Sequence, residues 1–254
     1  MIKKIIENKV KEVEINKEKI PLFGFKDKLT KSSRDFRKAL SKDKLNLIAE
    51  FKRKSPSKNI SEIQFDIERT LGIYNRHADA ISILTDNKFF SGSLDEMKKA
   101  SEIIGLPILR KDFIIDEYQI YESRLYNADA ILLIASILSK DKLDSFIKLA
   151  GKYKMDCLVE IHTKEELEKV LDTKSKIIGI NNRDLDTLKI DLNTTLAIAD
   201  KIPSDMIIVS ESGIQDRNYV QKISKKVNAI LVGSLFMNSK DIDKEITSLI
   251  KWQR

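Results

Sequence analysis

The chain has 254 residues, 42% hydrophobic and 33% charged, with 46 Lys and Arg against 39 Asp and Glu for a net charge of +7. That is apolar material for one sizeable core, and Lys and Glu are mixed along the chain rather than gathered into a basic run with interleaved aromatics, which argues against nucleic-acid binding. The opening IKKIIENKVKEVEINKEK lacks a signal-like apolar stretch, no segment reaches the ~20 apolar residues of a membrane span, and the lone Cys157 excludes a disulfide framework, so a cytoplasmic protein without a membrane partner is expected.

Residues 1–44 are Lys-rich, with helical patterns at 2–14 and 31–41 and Pro21 and Gly24 between them. From residue 45 short apolar runs recur: LNLIAEF, ADAISILTD, LPILRKD, ADAILLIA, DCLVEI, IIGINNR, MIIVSES and NAILVGS, starting 21 to 33 residues apart. Amphipathic stretches such as SLDEMKKASEII and KDKLDSFIKLAGKY separate them. Short β-branched and aliphatic runs alternating with helical patterns imply βα units and a parallel sheet covered by helices. Eight such units predict a closed (β/α)8 TIM barrel over residues 45–254, with residues 1–44 as a helical extension packed across one of its mouths. An open doubly wound sheet would carry fewer strands and a glycine fingerprint after the first, and no G-x-G-x-x-G occurs.

The strand ends carry the polar residues: Glu50 and Lys52, Asp86, Lys111, Glu160, Asn181 and Arg183, Glu211 and Ser212, and Ser234. In such barrels catalytic groups sit where strands meet their C-terminal loops. The two-residue period puts Lys111 in line with Leu109, Glu50 and Lys52 with Ile48, Glu160 with Leu158, Asn181 with Gly179, Glu211 with Val209 and Gly233 with Leu231. Each charged candidate thus extends an inward apolar or small column, while Arg110 and Asp112 face the helices. Two ammonium groups and three carboxylates in a partly desolvated mouth would displace one another's proton affinities, which can supply acid and base near neutrality. A structural salt-bridge network would look the same in sequence. Gly213 and Gly233, closing the seventh and eighth strands, allow the close backbone approach of a phosphate site, although each alone is an ordinary turn. His77 falls in a turn at the opposite end of the barrel, His162 falls near the mouth, Cys157 reads as a buried small hydrophobe, and Trp252 as packing on the barrel wall.

The segments IAEFKRKSPS, SILTDNKFFSGS, PILRKDFIIDEYQIYESRLYNADAILLIA, LVEIHTKEEL, IIGINNRDL, IVSESGI and ILVGSLFM, in this order over residues 30 to 240, resemble the indole-3-glycerol phosphate synthase family. The resemblance implies closure of the pyrrole ring of 1-(2-carboxyphenylamino)-1-deoxyribulose 5-phosphate with loss of carbon dioxide and water. No metal and no cofactor is implied, and the partner is a phosphorylated small molecule. It implies Lys111 as general acid at the substrate carbonyl, Glu160 in proton transfer at dehydration, and Lys52 as a second acid. Glu50 and Asn181 would orient the lysines and substrate hydroxyls, and Glu211 would extend the polar network. Ser55, Gly213, Gly233 and Ser234 would hold phosphate. Arg183 and Ser212 would bind polar groups of the substrate, and Phe90, Leu132, Leu185 and Leu231 would line an aromatic pocket. A monomer is expected, with other enzymes of the pathway as possible associates.

One departure is that Lys58 and Asn59 follow SPS where the family commonly has a glycine; Asn59 tolerates the left-handed region better than most residues. Rival readings are a phosphosugar isomerase, a Schiff-base aldolase with Lys111 as nucleophile, and a non-catalytic basic binding module.

Overall fold

The structure is a computed structural model that describes residues 1–54 and 66–250. Eight strands, β1 (Asn46–Phe51), β2 (Ala80–Leu84), β3 (Ile108–Lys111), β4 (Ala130–Ile134), β5 (Asp156–Ile161), β6 (Ile177–Asn181), β7 (Ile207–Glu211) and β8 (Ala229–Val232), pair in parallel in chain order. β8 closes the barrel on β1. The helices are α1 (Ile2–Lys19), α2 (Phe36–Ala39), α3 (Ile67–His77), α4 (Asn87–Phe90), α5 (Leu94–Ile103), α6 (Glu117–Leu125), α7 (Lys140–Lys152), α8 (Lys164–Leu171), α9 (Asn193–Ile198), α10 (Arg217–Ile223), α11 (Ser234–Met237) and α12 (Ile242–Ile250). Their starts are written locally. Asp66, Ser93, Asp116, Ser139, Thr163 and Asp216 each accept a hydrogen bond from a backbone N–H of the first turn of α3, α5, α6, α7, α8 and α10. Among the described residues no helix is long and apolar enough to cross a membrane.

The alternation predicted along the strands is observed. Leu47, Ala49 and Phe51 of β1 join an apolar cluster under the helices, whereas Ile48 joins a second cluster inside the barrel with Leu109, Leu158, Val209 and Leu231. The register arranges the inward side chains in tiers of four from alternate strands. Ala80, Ala130, Ile177 and Ala229 form one of these, and Ile48, Leu109, Leu158 and Val209 the next above it. Ser82, Leu132, Gly179 and Leu231 follow. The tier above them is Glu50, Lys111, Glu160 and Glu211, ionisable on all four strands.

The extension occupies both mouths rather than one. At the N-terminal mouth Phe36 and Leu40, both fully buried, join the inner cluster. Around them Ser32 Oγ donates to Asp129 Oδ1 at 2.7 Å, Arg34 Nε pairs with Asp129 Oδ2 at 2.7 Å, and the Arg37 N–H donates to Asp156 Oδ2 at 2.9 Å. Lys42 and Lys44 hold Asp79 at 2.7 and 2.9 Å. These aspartates stand where β2, β4 and β5 begin. At the opposite mouth α1 buries Ile5 in the inner cluster and Lys9 against Asp86 and Asp112.

The helical pattern expected at 31–41 condenses to the single turn of α2. Ser32 and Arg34 are committed to Asp129, Asp35 starts the helix by accepting the Lys38 N–H, and Asn46 Nδ2 donates to the carbonyls of Leu40, Lys42 and Lys44. Conversely α1 runs past residue 14 to Lys19, its last turn held by Asn16 on Glu122 and Lys17 on Asp116.

Because Phe36 fills the N-terminal mouth, Phe36→Ala should cost about 3–5 kcal/mol through lost burial and the cavity left behind. Denaturant unfolding followed by far-UV circular dichroism measures this; a loss below about 1 kcal/mol contradicts the plugging role.

Candidate active site

Lys111 Nζ lies 2.5 Å from Glu211 Oε2, 3.8 Å from Glu160 Oε2 and 3.9 Å from Glu50 Oε2. Lys52, one turn of the pleat above Glu50, donates to Glu50 Oε1 at 2.5 Å. All three carboxylates are buried. Burial alone would drive the Lys111 ammonium toward neutrality, but Glu211, Glu160 and Glu50 outweigh it and raise its proton affinity. Burial likewise opposes ionisation of Glu50, yet Lys52 and Lys111 hold its carboxyl below the usual range. Glu211 has the deepest position. Its burial, with Glu160 and Glu50 nearby, outweighs Lys111 and pushes its carboxyl up to about 7.

Two glycines make this tier possible. A methyl group at Gly179 would collide with Glu211 Oε1, and one at Gly233 with Glu50 Oε1. Gly233 therefore has a packing duty toward Glu50 besides lining the cavity.

Above the tier opens a cavity of about 600 Å³. Glu50, Lys52, Lys111, Glu160, Asn181 and Arg183 reach it on the polar side. Asn181 Nδ2 donates to Glu160 Oε1 at 3.0 Å, and Asn181 Oδ1 accepts the Arg183 N–H at 2.9 Å, so one amide fixes both neighbours. Phe90, Leu132, Leu185 and Leu231 line the apolar side. At the rim Ser212 and Gly213 are consecutive left-handed residues, with φ of 65° and 75°. A side chain at Gly213 would strike Ile190, so backbone conformation and space both demand glycine there. Ser212, Gly213, Gly233 and Ser234 all face the cavity. Ser55 and Asn59, like Trp252, lie outside the described residues.

Three polar residues at or near the strand ends do not reach the cavity. Glu211 does not line the cavity; it is fully buried behind Lys111. Asp86 is turned away from it, accepting the Phe89 N–H to start α4 and pairing with Lys9. His162 does not line it either. Its Nδ1 lies 2.5 Å from the Asn181 carbonyl, which can only accept, so that nitrogen carries the proton and the ring props the end of β6. His77 pairs with Asp243 of α12 at 2.5 Å. Cys157 is buried, and burial pushes its thiol well up.

Several lining residues were not anticipated. Leu84, Phe113 and Ile134 line the cavity and share the inward parity of Ser82, Lys111 and Leu132, so the two-residue period could have found them. Ile2 and Ile5 of α1 cover it, which no local pattern announces. Asn182 was passed over beside Asn181. Fully buried, it accepts from Thr195 N and Oγ1 and donates to the Ser212 carbonyl at 3.1 Å, tying the loop after β6 to the left-handed turn after β7.

The barrel is shared with distant solved structures. Over 81% of this chain and 95% of the other, it matches KGPDC from Streptococcus mutans, with a TM-score of 0.64 at 11% identity. Over 80% of this chain and 97% of the other, it matches a chain of the tryptophan synthase a2b2 complex from Pyrococcus furiosus, with a TM-score of 0.59 at 15% identity. At such identities the likeness speaks for the fold alone. Sequence relatives are nearer. The indole-3-glycerol phosphate synthase of Dehalococcoides mccartyi (strain CBDB1) is 43% identical, with 98% of this chain and 100% of that protein covered. The tryptophan biosynthesis protein TrpCF of Buchnera aphidicola subsp. Acyrthosiphon pisum is 42% identical over 98% of this chain, which spans only 55% of that longer protein. A family profile described as indole-3-glycerol phosphate synthase matches residues 2–249. With the profile spanning nearly the whole length and a full-length relative at this identity, the chain belongs to the indole-3-glycerol phosphate synthase family.

Proposed function

We propose that this chain closes the pyrrole ring of 1-(2-carboxyphenylamino)-1-deoxyribulose 5-phosphate, releasing carbon dioxide and water and giving indole-3-glycerol phosphate for tryptophan biosynthesis. The observation that supports this most directly is one ammonium, Lys111, set against three buried carboxylates beneath a cavity with an apolar wall and a glycine-turn rim.

In this reading the aromatic carbon bearing the carboxylate attacks the ketone carbon. A carbon–carbon bond forms, and the carbonyl electron pair moves to oxygen. Lys111 stabilises that oxyanion and gives it a proton. Carbon dioxide then leaves, and its bonding pair is taken up by the iminium formed with the ring nitrogen. Lys52 protonates the departing hydroxyl, and Glu160, oriented by Asn181, takes the proton from the carbon beside the nitrogen, whose C–H pair becomes the double bond of the aromatic pyrrole ring. Glu211, hydrogen-bonded to Lys111 and poised near neutrality, returns the proton that Lys111 has spent. Glu50 orients both lysines. Phe90, Leu132, Leu185 and Leu231 pack the aromatic ring, Arg183 and Ser212 bind polar substituents, and Gly213, Gly233 and Ser234, with Ser55, hold the phosphate.

The covalent aldolase alternative needs a neutral Lys111, since only a free amine attacks a carbonyl. Three carboxylates favour the opposite state. A single buried thiol suits the cytoplasm.

Adding the substrate to the purified protein with a chelator present should produce indole fluorescence; no fluorescence overturns the assignment. Lys111→Met should fold while losing about 10²–10³-fold in kcat, and Glu160→Gln about 10²-fold, with affinity for inorganic phosphate kept in both. Equal losses in phosphate affinity and kcat would reduce these residues to substrate binding. Glu211 should also leave a signature in stability. Its folded value stands above the ordinary 4.5, so the native state binds more protons between there and about 7. Its contribution is therefore complete below 4.5 and lost as pH rises through about 7. Parent stability minus that of Glu211→Gln, from denaturant unfolding across this range, should fall with pH; a rising difference contradicts the placement.

A further inference from the structure

α1 buries three residues, Ile5, Lys9 and Val13, spaced as one helical stripe. Two are apolar, as an amphipathic helix on a barrel requires. The third carries a charge and is wholly buried. Lys9 Nζ lies 2.9 Å from Asp86 Oδ2, 2.8 Å from Asp112 Oδ1 and 2.8 Å from Glu12 Oε1. An ammonium is taken out of water only where partners replace its hydration, and these two aspartates come from different strand ends.

Each aspartate also holds an aromatic residue of the cavity. Asp86 Oδ1 accepts the Phe89 N–H at 2.8 Å and so starts α4, the short helix that presents Phe90. Asp112 Oδ1 accepts the Phe113 N–H at 2.8 Å, and Oδ2 accepts from Thr85 Oγ1 at 2.6 Å and from Arg110 at 3.0 Å. The rings of Phe90 and Phe113 lie 6.2 Å apart, and both line the cavity. On the N-terminal side of Lys9, one and two turns along α1, Ile5 and Ile2 cover the same cavity. One ammonium thus joins the covering helix to both aromatic residues and to the strand end that carries Lys111.

We propose that Lys9 is a positioning residue for the aromatic half of the substrate: it locks α1 to the ends of β2 and β3, so that Ile2, Ile5, Phe90 and Phe113 form one rigid wall. It touches no reacting atom. The inference rests on the reading of Phe90 as part of the aromatic pocket.

The test separates the two halves of the ligand. Lys9→Met, nearly isosteric along its stem, leaves Asp86 and Asp112 without their shared cation. Its affinity for indole-3-glycerol phosphate should fall about tenfold, while affinity for inorganic phosphate, assigned above to residues other than the aromatic wall, stays within about twofold. KM should rise more than kcat falls. A folded Lys9→Met that binds the indole ligand as tightly as the parent, or loses both ligands equally, overturns the proposal. If Lys9→Met fails to fold, Asp86→Asn decides on the same readouts, since asparagine still starts α4 but gives up the charge that holds Lys9. Phe90→Ala is the control. If it leaves affinity for the indole ligand unchanged, the pocket reading fails. If it weakens that affinity and Lys9→Met does not, only the role of Lys9 fails.

Discussion

The burial of one ammonium among three carboxylates in the upper tier of the barrel is the constraint on which the site depends. Lys111, Glu50, Glu160 and Glu211 come from β3, β1, β5 and β7, and only barrel closure brings them to one level. In water such groups would interact weakly and keep their ordinary proton affinities; at the base of a cavity lined by Leu132 and Leu231, over an apolar core, they cannot ignore one another. The result is a division of labour by depth. Lys111 and Glu160 face the cavity, while Glu211 sits behind Lys111, nearer neutrality and cut off from the ligand.

That tier dictates what surrounds it. Below it Gly179 gives up a side chain so that Glu211 fits, and above it Gly233 does the same for Glu50. Asn181 and Asn182, adjacent on one strand end, point to opposite sides. One fixes Glu160 in the cavity, and the other ties two loops together beneath the helices. A two-residue period converts neighbours in sequence into one residue at the cavity and one beneath the helices.

The extension solves a different problem. A barrel offers its apolar interior to water at both mouths, and residues 1–44 close them by different means. Phe36 and Leu40 plug the N-terminal mouth, fastened to aspartates at the strand starts, so that end is sealed. α1 roofs the other mouth from one side, leaving an opening over the charged tier. One end is packed shut and the other carries the cavity, in keeping with the polarity of such barrels.

What was legible in the sequence was whatever is written in short-range pattern. The eight strands and the inward parity of Lys111, Glu50, Glu160 and Asn181 follow from the two-residue and 3.6-residue periods. Tertiary structure decided what depends on distant partners. It shortened the helix at 31–41 because Asp129 and Asn46 claimed its neighbours, drew Asp86 away from the cavity because Lys9 lay above it, and withdrew Glu211 behind Lys111. A period tells which face a side chain leaves from. How deep it ends, and whom it meets, is set by packing and by the exchange of hydration for partners, and those belong to the folded chain alone.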